Sequence, residues 1–211
     1  MKIIAIMGSP RRGGNTDLLL DSFLRGVKEG GGEYEKLFIS DLDISPCREC
    51  LDCEEDGECV ISDDMQSVYR KLLKSDKIVL ASPSFFYGFP AQMKALIDRG
   101  QALWARKHIL NRTPKAADSG REGFGDYPGT TRPKEAFTLL LGATGGKNLF
   151  AGQLNTLRYF LEPLDAHLTG SLLFRKIEKK GDISSHSTAL DEAYREGIKF
   201  ANTEDIVSSE R

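Results

Sequence analysis

Short unbroken apolar runs alternate along this chain with longer stretches in which apolar residues return every three or four positions. Residues 2–7 read KIIAIM and residues 77–81 read KIVLA, lengths that suit strands buried on both faces. Residues 136–141 (AFTLLL) and 168–174 (LTGSLLF) predict two more strands, and the alternation over 33–40 predicts an edge strand. Between them, helical periodicity predicts helices over 15–29, 91–107, 150–166 and 187–202. Gly30-Gly31-Gly32 stops the first, and Pro90 stands one residue before the second. Another helix, capped by Asp63-Asp64, runs to about residue 74.

Strands that alternate with helices imply βαβ units and a parallel sheet covered on both faces, an α/β fold. Five strands fit the flavodoxin-like order 2-1-3-4-5, whose ligand lies at the carboxyl ends of strands 1 and 3. No repeat, low-complexity tract or boundary divides the chain, so 1–211 is expected to form one domain. It carries an inserted cysteine loop (46–60) and a long aperiodic loop (111–133) with Gly120, Gly123, Gly125, Gly129 and three prolines. A loop of that length is a functional cover, a partner-packing arm or a mobile segment, and Phe124 and Tyr127 are its residues suited to a flat ligand.

Hydrophobic residues make up 40% of the chain and the formal net charge is −2, values of an ordinary globular domain. Acidic and basic side chains are mixed without a basic stripe, which argues against nucleic acid. No apolar run approaches the roughly 20 residues needed to span a bilayer. Charged Lys2 is followed by only five apolar residues, too few for a secretory signal, so the expected location is cytoplasmic.

All four cysteines fall in one run, Pro46-Cys47-Arg48-Glu49-Cys50-Leu51-Asp52-Cys53-Glu54-Glu55-Asp56-Gly57-Glu58-Cys59, with the spacing C-x2-C-x2-C-x5-C. Thiolates three apart on a tight loop can reach neighbouring corners of a cubane iron–sulfur cluster. Zinc is a rival, although zinc sites usually use two separated C-x2-C knuckles. Unligated, redox-active thiols are a third reading, and disulfides are rare in the expected compartment. Six carboxylates interleave the cysteines against Arg48 alone; this charge disfavours adding an electron to a nearby cluster and argues for a low potential.

The turn after strand 1 reads Gly8-Ser9-Pro10-Arg11-Arg12-Gly13-Gly14-Asn15-Thr16 and opens a helix, so its N–H groups and the positive helix end suit a phosphate. Gly8 and Gly13 have P-loop spacing, but Gly14, Asn15 and Thr16 occupy the stretch where Lys-Ser or Lys-Thr should follow, and no G-x-G-x-x-G is present; one phosphomonoester suits the turn better than ATP or a dinucleotide. After strand 3, Ser82-Pro83-Ser84-Phe85-Phe86-Tyr87-Gly88-Phe89-Pro90 packs four aromatics into five residues, either core under a loop or walls for a planar ligand. After strand 4, Gly142-Ala143-Thr144-Gly145-Gly146-Lys147-Asn148 brings a third loop to the same edge. Lys147 either offsets negative charge there or points to solvent. The cysteine loop follows strand 2, which puts it on that edge too. Trp104 is read as packing, and His108, His167 and His186 are isolated, so no catalytic residue is assigned.

With these loops in view the chain resembles the iron-sulfur flavoproteins within the NADPH-dependent FMN reductase superfamily. The resemblance rests on Gly8-Ser9-Pro10-Arg11 with Gly14-Asn15-Thr16, on the cysteine run followed by Asp63-Asp64-Met65, and on Ala91-Gln92-Met93-Lys94-Ala95-Leu96-Ile97-Asp98-Arg99. It implies an FMN-binding flavodoxin-like oxidoreductase. Ser9, Arg11, Asn15 and Thr16 would hold the phosphate; Pro83, Ser84, Phe85, Phe86, Tyr87 and Gly88 with Thr144, Gly145 and Gly146 would hold the isoalloxazine. Cys47, Cys50, Cys53 and Cys59 would bind a [4Fe-4S] cluster taking single electrons from a ferredoxin-like donor. The resemblance also implies a homodimer or homotetramer, with the cluster of one chain near the flavin of another. Two other functions stay open: an NAD(P)H-dependent FMN or quinone reductase without an essential cluster, and a thiol- or metal-sensing module.

Overall fold

A computed structural model describes residues 1–109 and 133–203 of the chain. In chain order the elements are β1 (Lys2–Met7), α1 (Asn15–Glu29), β2 (Glu33–Phe38), α2 (Cys53–Asp56), α3 (Met65–Lys74), β3 (Lys77–Pro83), α4 (Ala91–Arg99), α5 (Gln101–Trp104), β4 (Lys134–Gly142), α6 (Ala151–Leu161), β5 (Ala166–Arg175), α7 (Asp182–Ser185) and α8 (Ala189–Asn202). All five strands are parallel in the order β2-β1-β3-β4-β5, as the pattern predicts.

The unbroken apolar runs are explained by burial on both faces. Ile3, Ala5 and Met7 of β1, with Val79 and Ala81 of β3, face α1 and α8. The alternate residues Ile4, Ile6, Ile78 and Leu80 face the layer of α3, α4 and α6. Helices α1 and α8 approach so closely that a Cβ on Gly26 would lie 2.0 Å from the Tyr194 carbonyl oxygen, and one on Gly197 would lie 2.0 Å from that of Phe23. Only glycine fits at this crossing, and nothing in the periodicity announces it.

Two lysines close the opposite edge of the sheet. Lys77 donates to the carbonyl oxygens of Phe200 and Thr203 at the end of α8, and Lys134 donates to those of Leu72 (2.8 Å) and Leu73 (2.6 Å) at the end of α3. Helices of a parallel α/β sheet run back against the strands, so their C-terminal carbonyls meet the strand N-termini, and a buried ammonium satisfies them.

Several boundaries differ from the sequence reading. The helix expected over 91–107 is broken at Gly100, where a Cβ would press on the Ile97 carbonyl (2.8 Å) and on the Phe160 ring (3.2 Å); it continues as α5 and a π-turn over Ala105–Ile109. The helix expected over 150–166 ends at Leu161, because Pro163 lies in a 3-10 turn and Asp165 takes a left-handed conformation (φ 52°) before β5. Asp64 makes no capping hydrogen bond at α3; Asp63 instead accepts from the Met65 N–H, and Asp64 accepts from the Asp43 N–H. The loop read over 111–133 lies outside the described residues except for Pro133, and with it Phe124 and Tyr127.

Candidate functional site

The chain order reverses between β1 and β3, and the loops leaving their carboxyl ends frame a cleft of about 200 Å³. Ser9, Arg11, Gly14, Asn15 and Thr16 line one side; Pro83, Ser84 and Phe85 line the other. The turn is shaped by Gly13 at φ +62°, and Gly14 opens α1 against Arg11, whose side-chain carbon would meet a Gly14 Cβ at 3.1 Å. The two arginines part company. Arg12 pairs with Asp41 and lies over the Phe38 ring at 3.8 Å, whereas Arg11 makes no ion pair among the described residues and lines the cleft. Ser84 Oγ is buried there with no hydrogen-bond partner among the described residues. A turn opening a helix, a free guanidinium and an unmet hydroxyl fit a phosphate-bearing ligand.

The structure places Asn15 differently from the other phosphate candidates. Its Nδ2 donates to the Lys179 carbonyl oxygen (2.7 Å), and its Oδ1 accepts from the N–H groups of Gly181 (2.9 Å) and Ile183 (3.4 Å). Its side chain is therefore spent on the loop after β5, which supplies Ile177 and Glu178 as a further wall. Sequence reasoning missed those two residues; the carboxyl-edge rule, applied to β5 as it was to β4, would have found them.

Phe86, Tyr87, Gly88, Thr144, Gly145 and Gly146 stand outside the cleft lining, on its rim. Phe85 and Gly88 exchange both backbone hydrogen bonds (3.0 and 2.9 Å), closing a two-residue turn whose members, Phe86 (φ 49°) and Tyr87 (φ 62°), are both left-handed. Such turns favour Asn or Gly, and bulky residues there store strain of about 1–3 kcal/mol each, a feature that gathers at functional sites. The turn holds Phe86 fully in solvent and sets the Tyr87 hydroxyl against Gly146, where a Cβ would lie 2.4 Å away. Phe89 packs into the core, so the aromatic run divides between wall and core. Lys147 is exposed.

The cysteines surround a second cavity of about 380 Å³, lined by Cys47, Cys50, Cys53 and Cys59 together with Ile61, Asp98, Arg99, Gln101 and Ala102. The loop packs against the end of α4, at Asp98 and Arg99, and is held to Asp63 just before α3. Cys47 and Cys50 are exposed, while Cys53 and Cys59 are half-buried and pack on the core. Glu49 (φ 53°) and Leu51 (φ 66°) are left-handed, so the chain winds tightly between the first three cysteines. Cys53 opens the one-turn α2, which Gly57 ends at φ +80°. Not all the carboxylates are solvated, since Glu58 is buried.

Arg99 ties this loop down. It pairs with Asp63 through Nη1–Oδ2 (2.7 Å) and Nη2–Oδ1 (3.1 Å) and donates to the carbonyl oxygens of Ser45 (2.9 Å) and Ile61 (3.2 Å), just outside the cysteines on either side. Gln66 Nε2 adds bonds to the carbonyl oxygens of Cys59 and Ile61, both 3.0 Å. Burial works against the Arg99 cation, but the Asp63 hydrogen bond and the charges of Tyr69 and Cys59 outweigh it and raise its pKa. Burial likewise tends to raise Asp63, yet the hydrogen bonds from Arg99 and the Ser45 N–H hold that carboxyl below its ordinary value. Burial, then the charge of Cys59, pushes the Cys53 thiol up to about 11. Among the described residues no group of three or more His, Cys, Asp or Glu side chains is drawn close enough to hold a single metal ion.

A family model described as NADPH-dependent FMN reductase matches residues 1–171. An iron-sulfur flavoprotein of Methanosarcina thermophila is 39% identical over 117 residues, which cover 56% of this chain and 61% of that protein. An iron-sulfur flavoprotein of Methanocaldococcus jannaschii is 36% identical over 140 residues, 66% of this chain and 72% of that protein. The chain thus spans less than two thirds of the first relative and more than two thirds of the second. Among solved structures, an NAD(P)H:quinone oxidoreductase from Methanothermobacter marburgensis shares the fold with a TM-score of 0.65 at 17% identity, over 97% of this chain and 99% of that one. The chain belongs to the NADPH-dependent FMN reductase family of flavin-dependent oxidoreductases, and within it to the iron-sulfur flavoproteins.

Proposed function

We propose that this chain is an FMN-dependent electron-transfer flavoprotein whose four cysteines hold a [4Fe-4S] cluster that accepts single electrons from a ferredoxin-like donor. The observation that carries the reading is the gathering of Cys47, Cys50, Cys53 and Cys59 around one cavity. A cubane presents its irons at separate corners, which suits thiols arranged around a space better than thiols converging on a point. Its bound cofactors supply one-electron steps at the iron and an exchange between one- and two-electron steps at the flavin.

The protein's own residues then have distinct tasks. Arg11, Ser9, Thr16 and the start of α1 bind the phosphate, and Asn15 fixes the neighbouring wall. Ser84, Phe85 and Tyr87, with the Thr144–Gly146 rim, orient the ring and exclude water from it. The exposed Phe86 tip suits a subunit contact, and we assign a homodimer or homotetramer, which sedimentation of a monomer would contradict. A cytoplasmic location accompanies this reading, in accord with the lack of any helix among the described residues long and apolar enough to cross a membrane.

Replacing Cys50 with Ala tests the assignment. Iron binding and reduction by ferredoxin should be lost, while FMN content and reduction by dithionite persist, because the two cavities share no lining residue. Anaerobic protein that holds zinc or no metal, or a Cys50 variant accepting ferredoxin electrons at the wild-type rate, removes the cluster from the function. The family match over residues 1–171 then favours the second reading, an NAD(P)H-dependent FMN or quinone reductase.

A further inference from the structure

Among the described residues Arg99 is the largest side chain that is fully buried, at 1% exposure. A guanidinium carries five N–H donors in a rigid fork and stays charged. Four are met by Ser45, Ile61 and the two oxygens of Asp63. The fifth, on Nε, is buried and makes no hydrogen bond among the described residues, although the Tyr69 hydroxyl, which donates to the Arg99 carbonyl oxygen, lies beside the guanidinium. Leaving such a donor unmet is destabilising, and folded proteins retain few of them. The same side chain lines the cavity that the four cysteines surround.

We infer that Arg99 is a positioning residue of the cysteine site, its fork closing the loop from both sides and its remaining Nε–H donating to a sulfur of the bound cluster. The inference rests on the cluster reading above and extends it to a residue outside the cysteine run. A loop crowded with carboxylates lowers the potential of a neighbouring cluster. An N–H donated to sulfur, carried on a fixed cation, acts in the opposite direction by stabilising the added electron. The fork also anchors both ends of the loop to α4, so metal is received by a partly formed cup.

Two variants of the full-length protein, purified anaerobically, separate these roles. Arg99→Lys keeps the charge and can still meet Asp63, but has no Nε–H; Asp63→Asn keeps the Nε–H and loosens the fork. In an EPR-monitored redox titration, the cluster midpoint should fall in Arg99→Lys while FMN content and flavin midpoints stay as in the wild type. Asp63→Asn should bind less iron per chain without a lowered midpoint. An unchanged midpoint in Arg99→Lys, or an equal fall in both variants, overturns the inference. Should Arg99→Lys bind no iron, pulsed EPR of the reduced wild type carrying arginine labelled with ¹⁵N at Nε decides the matter. A hyperfine coupling to that nitrogen supports the contact, and its absence overturns it. Wild-type protein without iron and sulfide removes the cluster reading and this inference together, whereas a loaded wild type with an unaffected Arg99 variant removes the inference alone.

Discussion

Asn15 and Gly181 are 166 residues apart in sequence, yet the Asn15 side-chain oxygen accepts the Gly181 N–H at 2.9 Å, joining the first turn of α1 to the loop before α7. The amide nitrogen of the same side chain binds the Lys179 carbonyl oxygen, so both polar ends of Asn15 serve one loop. That loop forms the wall of the cleft between β1 and β3 that contains Ile177 and Glu178. Asn15 thus holds the cleft wall in place, whatever it contributes to a ligand.

Asn15→Ala should therefore free the loop as well as weaken FMN binding. Net loss of its hydrogen bonds predicts a stability change of about 1–3 kcal/mol. FMN affinity should fall about ten-fold, and amide exchange at Gly181 and Ile183 should quicken in the flavin-free protein. Unchanged exchange at those amides would show that the link is dispensable. Arg11→Ala, by contrast, should weaken FMN through a lost charge-assisted contact of about 1.5–3 kcal/mol and leave that exchange alone.

The rim offers a test of shape. A Cβ at position 146 would lie 2.4 Å from the Tyr87 hydroxyl, but Tyr87 is half-exposed and free to swing outward. Gly146→Ala should cost under about 1 kcal/mol in stability, because the clash is relieved by moving an exposed side chain. It should nevertheless displace Tyr87 from the ligand's edge, raising the FMN dissociation constant several-fold and altering the flavin absorption band. Wild-type affinity and spectrum in this variant would detach Tyr87 from the site.

Lys134 gives a pH dependence with a definite sign. It is 3% exposed, and burial holds its pKa down at about 8 despite the opposing charges of Asp76 and Asp165. In the unfolded chain the ammonium titrates near ~10.4, so between about 8 and ~10.4 the unfolded state binds more protons than the native one. Stability should therefore rise with pH across that window by up to about 3 kcal/mol, and the difference between wild type and Lys134→Met should isolate this rise from other groups. Denaturant midpoints at pH 7, 9 and 10.5 would measure it; parallel curves for the two proteins would refute the shift.

Much of this architecture is written in the order of residues, for a local physical reason. A strand buried on both faces must be apolar throughout, as in 2–7 and 77–81, and a helix covering it must be apolar on one side, so periodicity reveals both elements and the parallel class. The turn at Gly8–Thr16 and the cysteine run are equally local, since a phosphate turn and a compact ligand loop are each built from neighbouring residues. What stayed hidden depends on partners distant in the chain. Gly26 and Gly197 are ordinary helix residues until α1 and α8 cross there. Arg99 closes an amphipathic helix in sequence; only packing brings it to Asp63, Ser45 and Ile61 and makes it the anchor of the cysteine loop. The cysteine loop follows β2, and its attachment to the end of α4 is made by that buried ion pair. Asn15 has the same composition and spacing whether it faces a phosphate or a loop, and the choice falls to the chain returning from β5 with backbone groups that must be satisfied. Local sequence determines which elements and loops exist, because their signals lie within one turn or one strand. The tertiary structure decides which polar groups meet, because each buried donor or acceptor takes the partner that folding brings within reach.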